Sequence, residues 1–239
     1  INGGLLGNYT PKEYVVGSAY SRKLSKEFSM SIGGKYILSD LTGGQYAGGI
    51  PTAAGKSFAA DVSGFYNTLI RIGSEDIDLA VGLNLSNIGS KIKYTETATN
   101  DFIPINLRLG TAIGTEFDSY NKISIAFDIN KLLVPTPGKY ENGERVAGMD
   151  DDVAVVEGIF QSFWDAPGGT KEEFREINYS TGLEYWYDDQ FAVRSGYFNE
   201  HDTKGARKYF TFGMGMKYTV YIIDFSYLVN ASNHAGATN

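Results

Sequence analysis

The residues that could carry out chemistry are few. The chain has 2 histidines and no cysteine, which excludes a thiolate zinc site, an iron–sulfur cluster and a cysteine nucleophile. His201 lies between Glu200 and Asp202 in a predicted loop, and His234 lies in a polar C-terminal stretch. For both, a solvated loop histidine is favoured over a Ser–His or Asp–His catalytic pair. No phosphate-binding loop is present. The histidines, the lack of cysteine and the lack of this loop together give no candidate catalytic or cofactor-binding residue.

A run of three aspartates precedes the only segment with helical periodicity. The apolar residues at this spacing are Val153, Val156, Phe160 and Phe163. They predict a helix over Met149–Asp165, which Ala166–Gly169 would end. The carboxylates of Asp150–Asp152 could bind calcium. Acidic residues also stabilise a helix N-terminus, and one of them can cap it, which is the favoured interpretation.

Composition favours a large sheet over a helical protein. The 239 residues include 17 Tyr, 14 Phe and 29 Gly but only 6 Pro. The net charge of −7 provides no basic field for nucleic acid. No apolar run approaches the ~18 residues of a membrane helix. The chain opens at Ile1 without an initiator methionine and ends in a polar stretch, so both ends are expected to be cuts in one β-barrel domain.

Alternation of apolar and polar residues predicts ten strands. In the clearest strand, Ile77, Val81 and Leu85 share one face, while Asp78 and Gly82 share the other. The predicted strands are Glu13–Lys23, Phe28–Leu38, Phe58–Leu69, Ile77–Ser86, Ile105–Gly110, Ile123–Asn130, Ile177–Tyr187, Phe191–Asn199, Tyr209–Met216 and Tyr221–Leu228. Short turns alternate with longer connections, the longest being Lys131–Glu176, as is typical of outer-membrane barrels.

A soluble sandwich or lipocalin-type barrel would alternate too, but three features favour a membrane. Strands of about ten residues span the ~25 Å apolar band, glycine recurs on the polar face, and aromatics gather beside the short turns. The polar face also carries Asp61, Asp78, Arg108, Asp128, Glu184, Arg194, Lys217 and Asp224. These charges could line a pore, although pairing across a narrow lumen is favoured.

Specific strings along almost the whole chain resemble a known family. They are Glu13–Val16, Ser18–Ser25, Gly158–Phe163, Asp165–Gly169, Gly196–Phe198, Arg207–Thr211 and Asp224–Leu228. The family is PorV (also called LptO), the outer-membrane barrel proteins of the type IX secretion system. The resemblance implies a FadL-like transmembrane antiparallel β-barrel of fourteen strands, of which ten are visible. It also implies that an N-terminal hatch lies outside the chain.

The resemblance further implies a non-enzymatic shuttle or adaptor, integral to the bacterial outer membrane. Its long loops would be extracellular and its short turns periplasmic. It would dock on the translocon barrel (SprA, or Sov), bind the C-terminal signal domains of secreted cargo and pass that cargo to a cell-surface sortase complex. The alternative, from fold analogy alone, is a FadL-like transporter of hydrophobic small molecules.

Aromatic residues in the longest loop are the candidate partner-binding residues. Phe160, Phe163 and Trp164 lie on or beside the predicted helix and need cover from water. The barrel rim or neighbouring loops could provide that cover, and so could a partner protein. Aromatic residues often anchor protein interfaces, so the sequence nominates these three without deciding between the two.

Overall fold

The computed structural model describes residues 10–41, 43–44, 46–47, 50–95 and 100–231. Strands dominate them, because alternating apolar and small or polar side chains suit a pleated sheet with two different faces. In chain order they are β1 (Lys12–Lys23), β2 (Phe28–Asp40), β3 (Tyr46–Ala47), β4 (Ile50–Pro51), β5 (Gly55–Ile72), β6 (Glu75–Gly89), β7 (Asn106–Glu116), β8 (Asn121–Leu132), β9 (Lys139–Glu141), β10 (Glu144–Ala147), β11 (Ile177–Tyr187), β12 (Phe191–Asn199), β13 (Lys208–Tyr218) and β14 (Tyr221–Asn230).

Ten of these strands form one antiparallel sheet. Its order is β1-β2-β5-β6-β7-β8-β11-β12-β13-β14, so each strand pairs with its neighbour in the chain, apart from the small β3–β4 and β9–β10 hairpins inside the long connections. All five short turns therefore lie at one end of the sheet, and the long connections lie at the other. The all-β fold and the ten predicted strands are confirmed.

The two faces of the sheet differ in chemistry. One face, here called the inner face, surrounds cavities and carries small or polar residues such as Ala80, Gly110 and Asp128. The opposite, outer face exposes large apolar side chains, among them Leu83, Ile113, Ile125, Val193, Phe212 and Met214. An apolar surface spread over ten strands is far larger than water-soluble monomers tolerate. It suits contact with lipid.

Aromatic residues lie at the short-turn end of the sheet. Phe117, Tyr120 and Tyr187 are exposed there, and the rings of Tyr120 and Tyr187 stack with centroids 6.4 Å apart. Tyr218 and Tyr221 flank the tight turn between β13 and β14. This is the position of an interfacial aromatic belt.

The sheet is open. Within the described ranges, β1 pairs with β2 and β14 pairs with β13, and the outer edges of β1 and β14 are not joined to each other. Both edge strands are exposed along their whole length. The sheet thus fits the wall of a β-barrel without closing one.

Two short helices lie in the longest connection, α1 (Val155–Gln161) and α2 (Thr170–Arg175). The helix predicted over 149–165 is therefore present only in its central seven residues, and α2 was not predicted. Asp150 and Asp152 lie in a turn before α1, in which Asp150 Oδ1 accepts a hydrogen bond from Asp152 N at 3.1 Å. Neither described helix is long and apolar enough to cross a membrane.

Candidate interaction site on the long connections

The tightest packing lies at the long-connection end of the sheet. A buried apolar cluster there consists of Ala59, Ile92, Ile103, Ile105 and Leu133. These residues come from β5 and from the connections that follow β6 and β8. Because the connections share one core with the ends of the strands, they form a folded layer on the rim of the wall.

Helix α1 packs onto this core through a narrow face. Val155 and Ile159 contact the buried cluster, and Gly158 is buried where the helix approaches the Phe102 ring. A Cβ atom on Gly158 would lie 2.6 Å from Phe102 Cζ and 3.0 Å from Pro135 Cγ. Only glycine permits this approach, so the sequence of α1 fixes how closely the helix sits on the core.

Gly158→Ala is expected to lift α1 from the core. The added methyl group cannot fit without moving Phe102 or the helix, and overpacking of this kind typically costs about 1–3 kcal/mol. Hydrogen exchange of residues 133–176 should speed up while the melting temperature of the barrel stays unchanged. Glu157→Ala, one residue away and exposed, is the matched control. Unchanged exchange in Gly158→Ala would contradict this packing.

A buried ionic network holds α2 to the wall. This α2 clamp consists of Lys131, Glu172, Glu173, Glu176 and Lys204. Lys131 Nζ, at the end of β8, lies 3.1 Å from Glu173 Oε2 and 2.6 Å from Glu176 Oε2. Lys204 Nζ, from the β12–β13 connection, lies 2.7 Å from Glu172 Oε1 and 2.9 Å from Glu176 Oε1. The clamp therefore joins three chain segments into one unit.

The pKa values of two acidic residues in the loop layer, Glu176 and Asp165, are shifted in opposite directions. Burial acts to raise the pKa of Glu176, but hydrogen bonds from Lys131, Lys204 and Thr136 bring it below its usual value. Burial raises the pKa of Asp165, and the nearby negative charge of Glu173 adds to this. Stabilisation from ionised Glu176 is present above the ordinary Glu pKa and is lost as pH falls. The contribution of Asp165 is present at low pH and is lost as pH rises.

The outward face of α1 is apolar and uncovered. Val156, Phe160, Phe163 and Trp164 form what we call the α1 patch. The three aromatic residues are 60%, 43% and 62% exposed. Val156, Phe160 and Trp164 are spaced by four residues, which places them on one side of the helix and the turn after it. The structure thus leaves the three nominated aromatics outside its own core, which Val155 and Ile159 enter instead.

The aspartate run lies in the turn before α1, not on the helix. Asp150 O accepts a hydrogen bond from Gln161 Nε2 at 2.6 Å, so the turn is attached to the last residue of α1. Lys91 Nζ lies 2.9 Å from Asp152 Oδ1. The N-cap residue is Ala154, which makes no side-chain capping bond, so the expected aspartate cap is not formed. Among the described residues, no acidic group forms a cluster able to hold a metal ion.

Half of the eight predicted inner-face charges, Asp61, Glu184, Arg194 and Asp224, form ion pairs. Arg194 binds Glu184, and its Nη1 lies 2.7 Å from Asp224 Oδ1. Near the rim, Lys35 Nζ lies 2.9 Å from Asp61 Oδ2. Arg108 donates a hydrogen bond to Asn130 at 2.6 Å. The other predicted inner charges, Asp78, Asp128 and Lys217, make no side-chain hydrogen bond or ion pair with a described residue.

The histidines do not form a catalytic arrangement in the part of the chain that is described. His201 Nδ1 lies 3.0 Å from Thr203 Oγ1 and 3.2 Å from Thr203 N, contacts that shape its own turn. His234 lies outside the described residues. The α2 clamp was not predicted, because its members are 28 to 45 positions apart. The only sequence signal for the clamp was the charge of its members, such as Lys131 at the end of β8.

These features define a class of protein: a barrel wall with a lipid-suited outer face and a folded layer of long connections. Comparison with family models assigns the chain within that class. The model described as "Type IX secretion system protein PorV" matches residues 7–139, which is more than half of the chain. The chain belongs to the PorV family, an outer-membrane component of type IX protein secretion that is not known as an enzyme. A search of curated proteins found no match.

The matched residues include β1 to β8 and end at the start of the β9–β10 hairpin. Helix α1, the α1 patch and α2 lie beyond them. Membership of the family therefore rests on the first part of the wall, and the role of the α1 patch has to be argued from its own geometry.

Proposed function

We propose that this protein is a non-enzymatic adaptor of type IX secretion, which uses the layer of long connections to hold partner proteins. The partners would be the translocon barrel and the C-terminal signal domains of secreted cargo, which is then passed to a cell-surface sortase complex. Family membership supports a role in secretion. The folded layer on the rim supports binding as the activity, because it presents a fixed surface.

The α1 patch carries this proposal. Three aromatic side chains lie exposed on α1 and on the turn after it. The other face of α1 packs on a buried core, and the neighbouring segment is held by the α2 clamp. Exposed aromatics on a preorganised surface lose little conformational freedom on binding and can anchor an interface. In this proposal Phe160, Phe163 and Trp164 face the partner.

The proposed orientation follows from the lengths of the connections. Outer-membrane barrels turn their short connections toward the periplasm and their long ones outward. The α1 patch would then lie at the cell surface, where the translocon delivers cargo. The open edges of β1 and β14 would be paired by further strands, because lipid cannot satisfy free backbone groups.

Transport of hydrophobic small molecules is the weaker alternative. It requires an apolar cavity, and the cavity of about 580 Å³ on the inner face has charged groups in its lining: Arg108, Asp128, Glu184 and Arg194. Small apolar ligands bind in mostly apolar pockets. The inner face therefore supports the adaptor over the transporter.

Replacing Phe160 and Trp164 together by alanine is expected to weaken partner binding at least about 30-fold, which corresponds to roughly 2 kcal/mol for one lost anchor. The measurement is the affinity of the full-length protein in mild detergent for the purified signal domain and for the translocon barrel. Heat stability of the barrel should not change, since both side chains lie outside the core.

Tyr46→Ala combined with Tyr140→Ala is the matched control, because both tyrosines are exposed outside the α1 patch, Tyr46 on the β2–β5 connection and Tyr140 on the β9–β10 hairpin. This pair should bind normally. If Phe160→Ala/Trp164→Ala bound both partners normally but melted early, the aromatics would support the barrel rim and the proposal would fail.

A further inference from the structure

The α1 patch has an acidic border. The border consists of Asp150, Asp151, Asp152 and Glu157, which precede α1 or lie in its first turn. The hydrogen bond from Gln161 Nε2 to Asp150 O attaches the aspartate turn to the C-terminal end of α1. Glu157 lies three residues before Phe160 on α1, so these two side chains are neighbours on the surface of the helix.

The border is only partly neutralised. Asp152 pairs with Lys91 at 2.9 Å, and Asp150 Oδ2 lies 3.5 Å from Arg145 Nη1. Asp151 and Glu157 have no side-chain partner among the described residues, and Glu157 is exposed. Neither carboxylate is therefore neutralised by an ion pair, and Glu157 lies one residue after Val156 of the α1 patch.

The surrounding connection is acidic as a whole. Residues 133–176 contain ten acidic and four basic side chains, a net charge of −6, compared with −7 for the whole chain. Lys91, Lys131 and Lys204 lie outside this segment but form ion pairs with its acidic residues, so the connection together with these three lysines carries a net charge of −3.

The acidic border argues against one explanation of the exposed aromatics. Aromatic side chains near a membrane can anchor in the headgroup region, but anionic headgroups repel carboxylates. A lipid-anchoring helix carries Lys and Arg on its polar face, whereas this one is bordered by Asp and Glu. The charge pattern favours a protein occupant.

We infer that the α1 patch recognises a protein surface with an apolar recess bordered by lysine or arginine. This inference rests on the proposed function and adds the chemistry of the partner. Phe160 and Trp164 would fill the recess, and Asp151 and Glu157 would face the basic rim. Rim charges mainly speed association and select the partner, and their effect falls as salt rises.

Charge reversal tests this inference. Asp151→Lys/Glu157→Lys is compared with Glu141→Lys/Glu144→Lys, which makes the same change in net charge on the exposed β9–β10 hairpin. Affinities of the full-length protein for the purified signal domain and for the translocon barrel are measured separately at low and high salt. The first variant should bind one of them about tenfold more weakly at low salt, and this difference should shrink at high salt. The control should bind normally.

Trp164 fluorescence tests the lipid alternative in the same protein. The chain has 2 tryptophans, so in a Trp186→Phe variant the tryptophan fluorescence of this protein comes from Trp164 alone. After reconstitution in phosphatidylcholine, or in a mixture with phosphatidylglycerol, its emission should be that of an exposed indole in both. The emission should shift to the blue only when the partner protein is added. A blue shift in either kind of vesicle before the partner is added would overturn the inference in favour of lipid.

The outcomes distinguish failure of the proposed adaptor function from failure of the proposed basic rim on the partner. If the unaltered protein bound neither partner, the proposed function would fail, and this inference would fail with it. If it bound one of them and the two charge-reversed variants behaved alike, the adaptor would stand and the basic rim would be excluded.

Discussion

Val81→Arg is expected to reduce the free energy of unfolding in a bilayer by about 2–4 kcal/mol, because the guanidinium would face hydrocarbon. Val81 lies on β6, opposite Tyr66 of β5 and Thr111 of β7, on the apolar outer face. The effect is measured by urea unfolding of the full-length protein in lipid vesicles.

Ala80→Arg is the matched control, because Ala80 is the adjacent residue and lies on the inner face. It lines cavities of about 340 and 240 Å³, which leave room for a longer side chain that can stay hydrated. This substitution should cost clearly less than Val81→Arg. Equal losses at the two positions would show that the inner and outer faces have been assigned wrongly.

Lys131→Met is expected to release α2 from the wall, with a local cost of about 3–5 kcal/mol, the range for removing one partner of a buried ion pair. Lys131 is 8% exposed, and its loss would leave Glu173 without a cation and Glu176 with Lys204 alone. Limited proteolysis should cut residues 133–176 rapidly, while the strands stay protected.

Arg71→Met provides the contrast, because Arg71 pairs with Asp76 at the solvent-exposed short-turn end. Exposed ion pairs contribute little, so proteolysis should not change in this variant. Lys131→Met combined with Glu173→Gln should partly restore protection by removing the orphaned charge. Slow cleavage in Lys131→Met itself would mean that the apolar core alone holds the connection.

Period-two alternation allowed the wall to be predicted strand by strand. In β6 the side chains of Leu79, Val81 and Leu83 must share a face whatever the partner strands are. Strand ends were less predictable, because they depend on pairing. Strand β5 starts at Gly55, three residues before the predicted Phe58, where Gly55 pairs with Ser39 of β2.

The candidate site was predictable only in part. Helical spacing located α1, and aromatic character singled out Phe160 and Trp164. Which face is buried could not be predicted, because the core under α1 is built from Phe102 and Pro135 in distant segments. The α2 clamp was missed for the same reason: local sequence does not show that Lys131 and Lys204 meet the acidic residues of one helix.

Cross-linking at the cell surface tests directly whether the α1 patch lies outside the cell and binds the partner proteins. The chain has no cysteine, so a single thiol can be introduced at Phe163→Cys on the α1 patch or at Ser119→Cys in a short turn. Intact cells are treated with a membrane-impermeant, thiol-reactive cross-linker, and the products are identified by mass spectrometry. Phe163→Cys is expected to be joined to the translocon barrel or to a cargo signal domain, and Ser119→Cys is expected to stay unlabelled. Labelling of Ser119→Cys, or a Phe163→Cys protein that reacts but is joined to neither partner, would contradict the proposal.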